Sequence, residues 1–171
     1  MVYFLILLIA AVFYVSLKGN INALKKRQNL FKPMGMNSYF EGNCFIVKRS
    51  KLNIFTELNN ICISENIIPL DAKWKEFSFV DGTALLLNAF NFDLCYMDSE
   101  NMPKEKAEYY TNFITKKFNV SATTCYSNWF QNPFKNNSGL GAIAITNNTS
   151  DMAIIFVDNS KIAFTYFISE D

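Results

Sequence analysis

The chain contains no histidine. Histidine is the commonest general base near neutral pH and the commonest metal ligand, so most hydrolytic mechanisms and most zinc sites lack their usual residue here. Only six glycines and four prolines occur among the 171 residues, which excludes a collagen-like or low-complexity chain. Half of the residues are apolar, which excludes intrinsic disorder, and the length suits one domain.

The chain also lacks any C-x-x-C pair, because its cysteines, Cys44, Cys62, Cys95 and Cys125, are far apart in the sequence. A zinc site is therefore not expected. An even number of well-spaced cysteines is typical of a disulfide framework, with three possible pairings. The sequential pairing, Cys44 with Cys62 and Cys95 with Cys125, would stabilise the fold by about 3 kcal/mol per bridge. The alternative is four buried free thiols, since cysteine is among the most buried residue types.

The N-terminal part is an uncharged apolar run, Val2 to Leu17, with the sequence VYFLILLIAAVFYVSL. A helix that crosses a bilayer needs about 20 apolar residues, with about 17 as the lower limit, and the neighbouring Lys18 can snorkel. A cleaved signal peptide would need basic residues before the run and a small-x-small exit after it, and neither occurs. We therefore expect residues 1–18 to form an uncleaved transmembrane anchor and the chain to be a single-pass membrane protein.

Charge is distributed unevenly along the chain. Residues 1–32 hold five basic residues and no acid, whereas residues 33–171 hold eleven basic and fifteen acidic residues. The basic residues are Lys18, Lys25, Lys26, Arg27 and Lys32. Basic residues beside an anchor favour the cytosolic or nucleoplasmic side and can contact anionic lipid headgroups. We expect residues 19–37 to be a basic connector, and the acidic domain beyond it argues against nucleic-acid binding.

Residues 38–171 are expected to form one disulfide-stabilised α+β domain with a mostly antiparallel sheet. Apolar runs predict strands at 44–47, 120–126, 142–146, 152–157 and 162–168, and short polar turns join the last three as a C-terminal β-meander. Alternating Phe77 and Phe79 precede Asp81-Gly82, which is typical of a hairpin turn. That turn predicts a returning strand at 83–87, and the alternation of Phe90 to Tyr96 predicts another.

One main amphipathic helix is expected at about 103–118. Pro103 suits its first turn, acidic residues follow near its positive end, and Lys116 and Lys117 complement its negative end. Its apolar stripe consists of Ala107, Tyr110, Ile114 and Phe118. Residues 52–64 fit either a helix or a strand, because helical spacing is combined with β-branched residues.

No arrangement of residues indicates catalysis. Residues 139–144 match G-x-G-x-x-A, but an Asn-rich loop precedes them and a strand pattern follows, so the glycines indicate a turn rather than a dinucleotide site. Cys125 has no histidine partner, and the spacing of Asp71, Glu76, Asp81, Asp93 and Asp98 selects no carboxylate pair. We therefore expect no enzyme activity, metal, cofactor or small-molecule substrate.

The aromatic content is high, with 17 Phe, 8 Tyr and 2 Trp. Residues 126–134, the aromatic loop, combine Tyr126, Trp129, Phe130 and Phe134 with asparagines. Aromatic residues in loops often anchor protein interfaces, so these four residues are candidate interface residues. The alternative is that they cap the core of a small domain.

An N-terminal anchor, adjacent basic residues (Lys18, Lys25, Lys26, Arg27) and a cysteine-containing domain in a chain of 19.6 kDa form a familiar layout. It resembles the small envelope proteins of large DNA viruses, in particular the small per os infectivity factors of baculoviruses; poxvirus entry-complex subunits are laid out similarly. The resemblance implies sorting to the host inner nuclear membrane and then to the envelope of the occlusion-derived virion. It also implies assembly with other envelope proteins into an entry complex. A virus-encoded sulfhydryl oxidase would reconcile disulfides with a nucleoplasmic flank.

A second hypothesis comes from a different class of protein. A bacterial immunity protein, tethered to the inner membrane, would neutralise a toxin by covering it with an acidic face. The excess of four acidic residues over basic residues in 33–171 suits a basic toxin.

Overall fold

The computed structural model of the chain describes residues 28–30, 39–135 and 141–170. These residues form an α+β domain with six strands and three α-helices. The strands are β1 (Gln28–Asn29), β2 (Glu41–Lys48), β3 (Lys75–Phe77), β4 (Thr124–Ser127), β5 (Ser150–Val157) and β6 (Lys161–Ser169), and the helices are α1 (Ile54–Ser64), α2 (Phe79–Asn91) and α3 (Lys104–Thr115). The predicted anchor and the basic residues Lys18, Lys25, Lys26 and Arg27 lie outside the described residues. Within the described ranges, no helix combines the length and apolar character needed to cross a bilayer.

The strands form one antiparallel sheet in the order β1-β2-β6-β5-β4-β3. Strands β5 and β6 pair with each other from Ser150 opposite Ser169 to Val157 opposite Ile162 and are joined by a tight turn, and β2 pairs with β6 on the other side. The sequences of β5 and β6 are almost continuously apolar because both faces of the sheet are covered. β1 contributes only two residues at one edge, and the three-residue β3 forms the other edge.

Side chains along the strands β2, β4, β5 and β6 alternate between two hydrophobic cores. The helix-pair core lies between the sheet and helices α2 and α3 and includes Cys44, Phe90, Cys125, Phe156 and Phe167. The α1 core lies on the opposite face, under α1 and the segment that follows it, and includes Phe45, Cys62, Trp74, Ile155 and Phe164. Neighbouring residues of one strand, such as Cys44 and Phe45, therefore enter different cores.

Helix α1 settles the ambiguity of residues 52–64. Asn53 caps it by accepting a hydrogen bond from the backbone N–H of Phe55 at 2.9 Å. The buried carboxylate of Glu57 accepts from Arg49 Nε and Ser50 Oγ, both at 2.9 Å, and from the backbone of Leu52. These donors fix the chain between β2 and α1 and satisfy a carboxylate that would otherwise be costly to bury.

Helix α2 occupies the position of the predicted hairpin, so the turn at Asp81-Gly82 and the strands at 83–87 and 90–96 are wrong. Ser78 caps the helix: its hydroxyl accepts from the backbone N–H of Asp81 at 3.0 Å and donates to the Asp81 carboxylate at 2.7 Å. Gly82 lies inside the helix, where an added Cβ would be 2.2 Å from Cys125 Sγ. The glycine is thus a point of close packing against β4 and not a turn residue.

The predicted helix at 103–118 is confirmed as α3, with Pro103 in the N-cap position. It is one of three α-helices in the described residues, so the expectation of a single main helix is corrected. The β-meander is confirmed only for β5 and β6. Residues 142–146 form no strand apart from one bridge between Ala142 and Trp129.

Residues 28–30 lie within the predicted connector and pair with β2. Leu30 is only 2% exposed, belongs to the helix-pair core, and donates its backbone N–H to the Cys44 carbonyl at 2.6 Å. Residues 28–30 are therefore part of the folded domain, although they lie within the predicted connector.

Candidate interaction site

A surface cleft of about 480 Å³ opens at the end of the sheet where β4 ends and β5 begins. We call it the Trp129 cleft. Three parts of the chain line it: the loop after α2, Trp129 itself, and the stretch that leads into β5. The lining residues are Leu94, Cys95, Met97, Trp129, Gly141, Ala142, Ala144, Asn148, Thr149, Ser150 and Asp151.

The buried carboxylate of Asp151 organises the cleft. Its side chain is in the second position of β5 and is 5% exposed. One carboxylate oxygen accepts from Asn128 Nδ2 at 2.9 Å, and the other accepts from the backbone N–H and the hydroxyl of Thr146, both at 2.8 Å. The backbone N–H of Ile145 also points to this carboxylate, at 3.1 and 3.2 Å from its two oxygens. A buried carboxylate with this many donors is stable without a basic partner and ties residues 145–146 to β5.

Asn128 extends the same network. Its side chain is fully buried, donates to the Ile143 carbonyl at 2.9 Å, and accepts from the backbone N–H of Ala153 at 2.7 Å. The neighbouring Trp129 donates its Nε1–H to the Asp151 carbonyl at 2.7 Å. The floor of the cleft is therefore held by hydrogen bonds that join three separate parts of the chain.

Two exposed aromatic residues are next in sequence to residues that line the cleft. Tyr96, between the lining residues Cys95 and Met97, is 62% exposed, and Phe130, directly after Trp129, is 47% exposed. Phe130 donates its backbone N–H to the Gly141 carbonyl at 2.7 Å. Gly141 has φ +149°, and an added Cβ would lie 3.1 Å from the Phe130 ring, so glycine is the residue that permits this contact.

The structure separates the four candidate interface residues of the aromatic loop. Tyr126 is buried in the α1 core, where its ring meets Phe55 edge-on at 6.0 Å. Trp129 is buried in the helix-pair core, and Phe134 stacks on Phe92 with ring centroids 5.9 Å apart. Only Phe130 is exposed. Three of the four residues therefore cap the two cores, and one remains available at the surface.

None of the four cysteines, which all lie in described ranges, forms a disulfide. Cys44 faces the helix-pair core and Cys62 faces the α1 core, so the sheet separates the two thiols and the sequential pairing is wrong for them. Burial raises the pKa of the Cys44, Cys62 and Cys125 thiols from 9.0 to about 12. A hydrogen-bond contact of 3.2 Å with Thr165 Oγ1 opposes this rise at Cys44. Cys95 is less buried and lines the Trp129 cleft.

Asp151 and Asn128 were not among the site residues predicted from the sequence. The available signal was an acid that opens an almost continuously apolar strand, a position where a charge must be buried and satisfied.

Among the residues that the structure describes, no three His, Cys, Asp or Glu side chains are grouped so that they could hold a metal ion. The Trp129 cleft has a polar floor fixed by the Asp151 network and apolar lining residues such as Leu94 and Met97. Comparison of the chain with protein-family models, with curated proteins and with solved structures gives no match.

Proposed function

We propose that this chain is a non-enzymatic, membrane-anchored envelope protein of a virion and a subunit of a multi-protein entry complex of the per os infectivity type. The Trp129 cleft is the observation that carries the proposal. Its floor is fixed by the Asp151 network, and the exposed aromatic residues Tyr96 and Phe130 adjoin its lining residues in the sequence. Exposed aromatic side chains beside a rigid cleft are typical of the few residues that dominate the affinity of protein interfaces.

Rigidity of the cleft supports binding because less conformational entropy is lost when a partner docks. The hydrogen bonds of Asn128 and Asp151 already order the backbone on both sides of Trp129. A partner would therefore need to order only the exposed side chains at the edges. The proposed partners are other envelope proteins of the same virion.

The sequence layout supports the location. The apolar run from Val2 to Leu17 and the basic residues that follow it suit a single-pass anchor. We propose that this anchor directs the protein to the host inner nuclear membrane during assembly and then to the virion envelope, with the lipid bilayer as its second partner.

The test is co-purification with defined partners. The full chain is expressed with the other envelope proteins of the virus that encodes it, extracted in mild detergent, and isolated by a C-terminal tag. We expect stoichiometric recovery of at least one of these envelope subunits. Replacement of both edge aromatics, Tyr96→Ser with Phe130→Ser, should reduce the recovery at least tenfold, because truncating interface anchors costs about 2 kcal/mol or more.

The matched control is Val80→Ser with Val120→Ser, since these two side chains are as exposed as Tyr96 and Phe130 but are not next in sequence to any residue that lines the Trp129 cleft. The control variant should retain the partner. Recovery of the wild-type chain as a monodisperse monomer, without any envelope subunit, would refute the proposal.

The immunity-protein hypothesis rests on the acidic excess of residues 33–171, and it would replace the envelope hypothesis if a neighbouring reading frame encodes a toxin that the chain binds.

A further inference from the structure

One wall of the Trp129 cleft is a short segment, residues 141–145, that runs antiparallel to the chain after β4. Phe130 donates its backbone N–H to the Gly141 carbonyl at 2.7 Å, and Ile143 donates its backbone N–H to the Asn128 carbonyl at 3.0 Å. The side chain of Asn128 donates in return to the Ile143 carbonyl at 2.9 Å. One side of this segment is therefore occupied by hydrogen bonds within the domain.

The other side of the segment is an unpaired backbone edge. Neighbouring residues of a paired, extended segment direct their backbone groups to opposite sides, so those of Ala142 and Ala144 point away from Asn128. Among the residues that the structure describes, the backbone N–H and carbonyl groups of both alanines have no hydrogen-bond partner. Both alanines are exposed and line the cleft. We call these two residues, with their open backbone groups, the alanine edge.

The alanine edge carries no charge that would prevent pairing with another chain. Residues 141–146 include no acidic or basic side chain. By contrast, the outermost strand β3 is only three residues long and carries the exposed Lys75 and Glu76. Short, charged edge strands resist pairing with another chain, whereas uncharged extended edges favour it. The alanine edge is therefore better suited than β3 to main-chain pairing.

We propose that an extended segment of a partner envelope protein enters the Trp129 cleft and pairs, backbone to backbone, with Ala142 and Ala144. This inference rests on the proposed function and adds the form of the partner and the groups that bind it. In such strand addition, main-chain hydrogen bonds give affinity and side-chain pockets give specificity. Leu94 and Met97, which also line the cleft, are available to alternate side chains of the added segment.

The shape of the site favours a partner segment over a second copy of the chain. The alanine edge lies in a cleft that is also lined by the loop after α2 and by the stretch that leads into β5. A single extended segment can enter such a concave site. The same edge of a second copy cannot, because each edge would have to enter the cleft of the other.

Hydrogen exchange at single-residue resolution tests the pairing. The full chain is compared in mild detergent, alone and in complex with the envelope subunit that it retains. The amides of Ala142 and Ala144 should exchange fast in the free chain and at least roughly tenfold more slowly in the complex, since each gains a hydrogen bond. Ile143 and Ile145 already donate their N–H groups within the domain, so they are internal controls and should exchange slowly in both samples.

Ala144→Pro removes one donor of the alanine edge. Proline is tolerated at edge positions whose N–H faces solvent, so the fold should be retained, which tryptophan fluorescence checks. The affinity for the envelope subunit should fall about tenfold, because a carbonyl group of the partner loses its donor. Ala144→Ser is the matched control: it keeps the N–H and a small side chain, and it should bind like the wild-type chain.

Binding of an envelope subunit without slower exchange at Ala142 and Ala144 would overturn the inference and leave the proposed function intact. Equal affinity of the Ala144→Pro and Ala144→Ser chains would do the same. Slow exchange at both alanines in a dimer of the chain alone would also overturn it, by assigning the edge to a second copy. If no envelope subunit binds the wild-type chain, the proposed function itself fails, so the two failures are distinguishable.

Discussion

The buried carboxylate of Asp151 shows how one residue determines the structure around it. An ionised group in an apolar interior is costly unless several donors surround it. Here the donors are Asn128 Nδ2, the backbone N–H groups of Ile145 and Thr146, and the Thr146 hydroxyl. Because Ile145 and Thr146 give their N–H groups to a side chain, they cannot give them to a neighbouring strand. This explains why residues 145 and 146 do not belong to a strand as predicted.

Asp151→Asn tests this role. The substituted amide replaces one acceptor oxygen by a donor that faces other donors, so we expect the free energy of unfolding to fall by about 2–3 kcal/mol. The measurement is urea denaturation of the full chain in detergent, followed by tryptophan fluorescence. Asp98→Asn makes the same chemical change at an exposed residue and should have almost no effect. An equal loss in both variants would show that the buried network contributes nothing specific.

The cysteines lead to a second prediction at this scale. Thiolates are the reactive form, and burial raises the pKa of Cys44, Cys62 and Cys125 to about 12. At about pH 8, iodoacetamide should therefore modify Cys95 alone in the folded chain and all four cysteines after denaturation. Intact mass gives both numbers. Fewer than four modified residues in the denatured, unreduced chain would reveal a disulfide and contradict the structure.

The same thiols contribute to stability as a function of pH. A thiol whose pKa is raised in the folded state stabilises the fold fully below its unfolded pKa of 9.0, and this contribution is lost as the pH rises from 9.0 towards 12. The free energy of unfolding should thus fall in this alkaline range.

At the scale of elements, the sequence predicted a helix correctly where its capping residues, charges and apolar pattern agreed with one another. Helix α3 could be predicted because Pro103, the charges at its ends and its apolar stripe indicate the same structure. Helix α2 was missed because the alternation of Phe77 and Phe79 before Asp81-Gly82 is typical of a hairpin. The signal that decided the structure was the cap from Ser78 to Asp81, together with a glycine small enough to pack against β4.

Gly82→Ala tests the packing of α2. Alanine favours a helix by about 1 kcal/mol over glycine, but its Cβ would lie 2.2 Å from Cys125 Sγ and 2.5 Å from Cys125 Cβ. Overpacking costs about 1–3 kcal/mol, so we expect a net loss of up to about 2 kcal/mol in the free energy of unfolding. Combining it with Cys125→Ala removes the sulfur atom and should recover part of this loss.

The double-mutant cycle of Gly82→Ala and Cys125→Ala distinguishes helix α2 from the hairpin predicted at this place. In a hairpin, alanine at this turn position would also be unfavourable, but its effect would not depend on residue 125. Additive losses for Gly82→Ala and Cys125→Ala would therefore contradict the contact between α2 and β4.

The molecule as a whole is a sheet covered on both faces, and this arrangement could be predicted only in part. The apolar runs of β5 and β6 indicated two covered faces, but not what covers them. Contacts such as Phe55 with Tyr126, or Phe92 with Phe134, join residues far apart in the sequence. Periodicity within one segment contains no information about such pairs. For this reason the aromatic loop could equally indicate an interface or a core, and the structure assigns three of its four candidates to the core.

The first described strand yields the last prediction, because residue 30, within the predicted connector, packs in the core of the domain. Leu30 fills the helix-pair core at the edge where the chain enters, and its backbone extends the pairing with β2. Leu30→Ala would leave a cavity in the helix-pair core and should lower the free energy of unfolding by about 2–5 kcal/mol. Leu52→Ala is the matched control, because Leu52 is 42% exposed and should lose less than about 1 kcal/mol. Urea denaturation of the two full-length variants gives the comparison. If Leu30→Ala proved no more damaging than Leu52→Ala, residues 28–30 would be part of the connector and the domain would begin at β2.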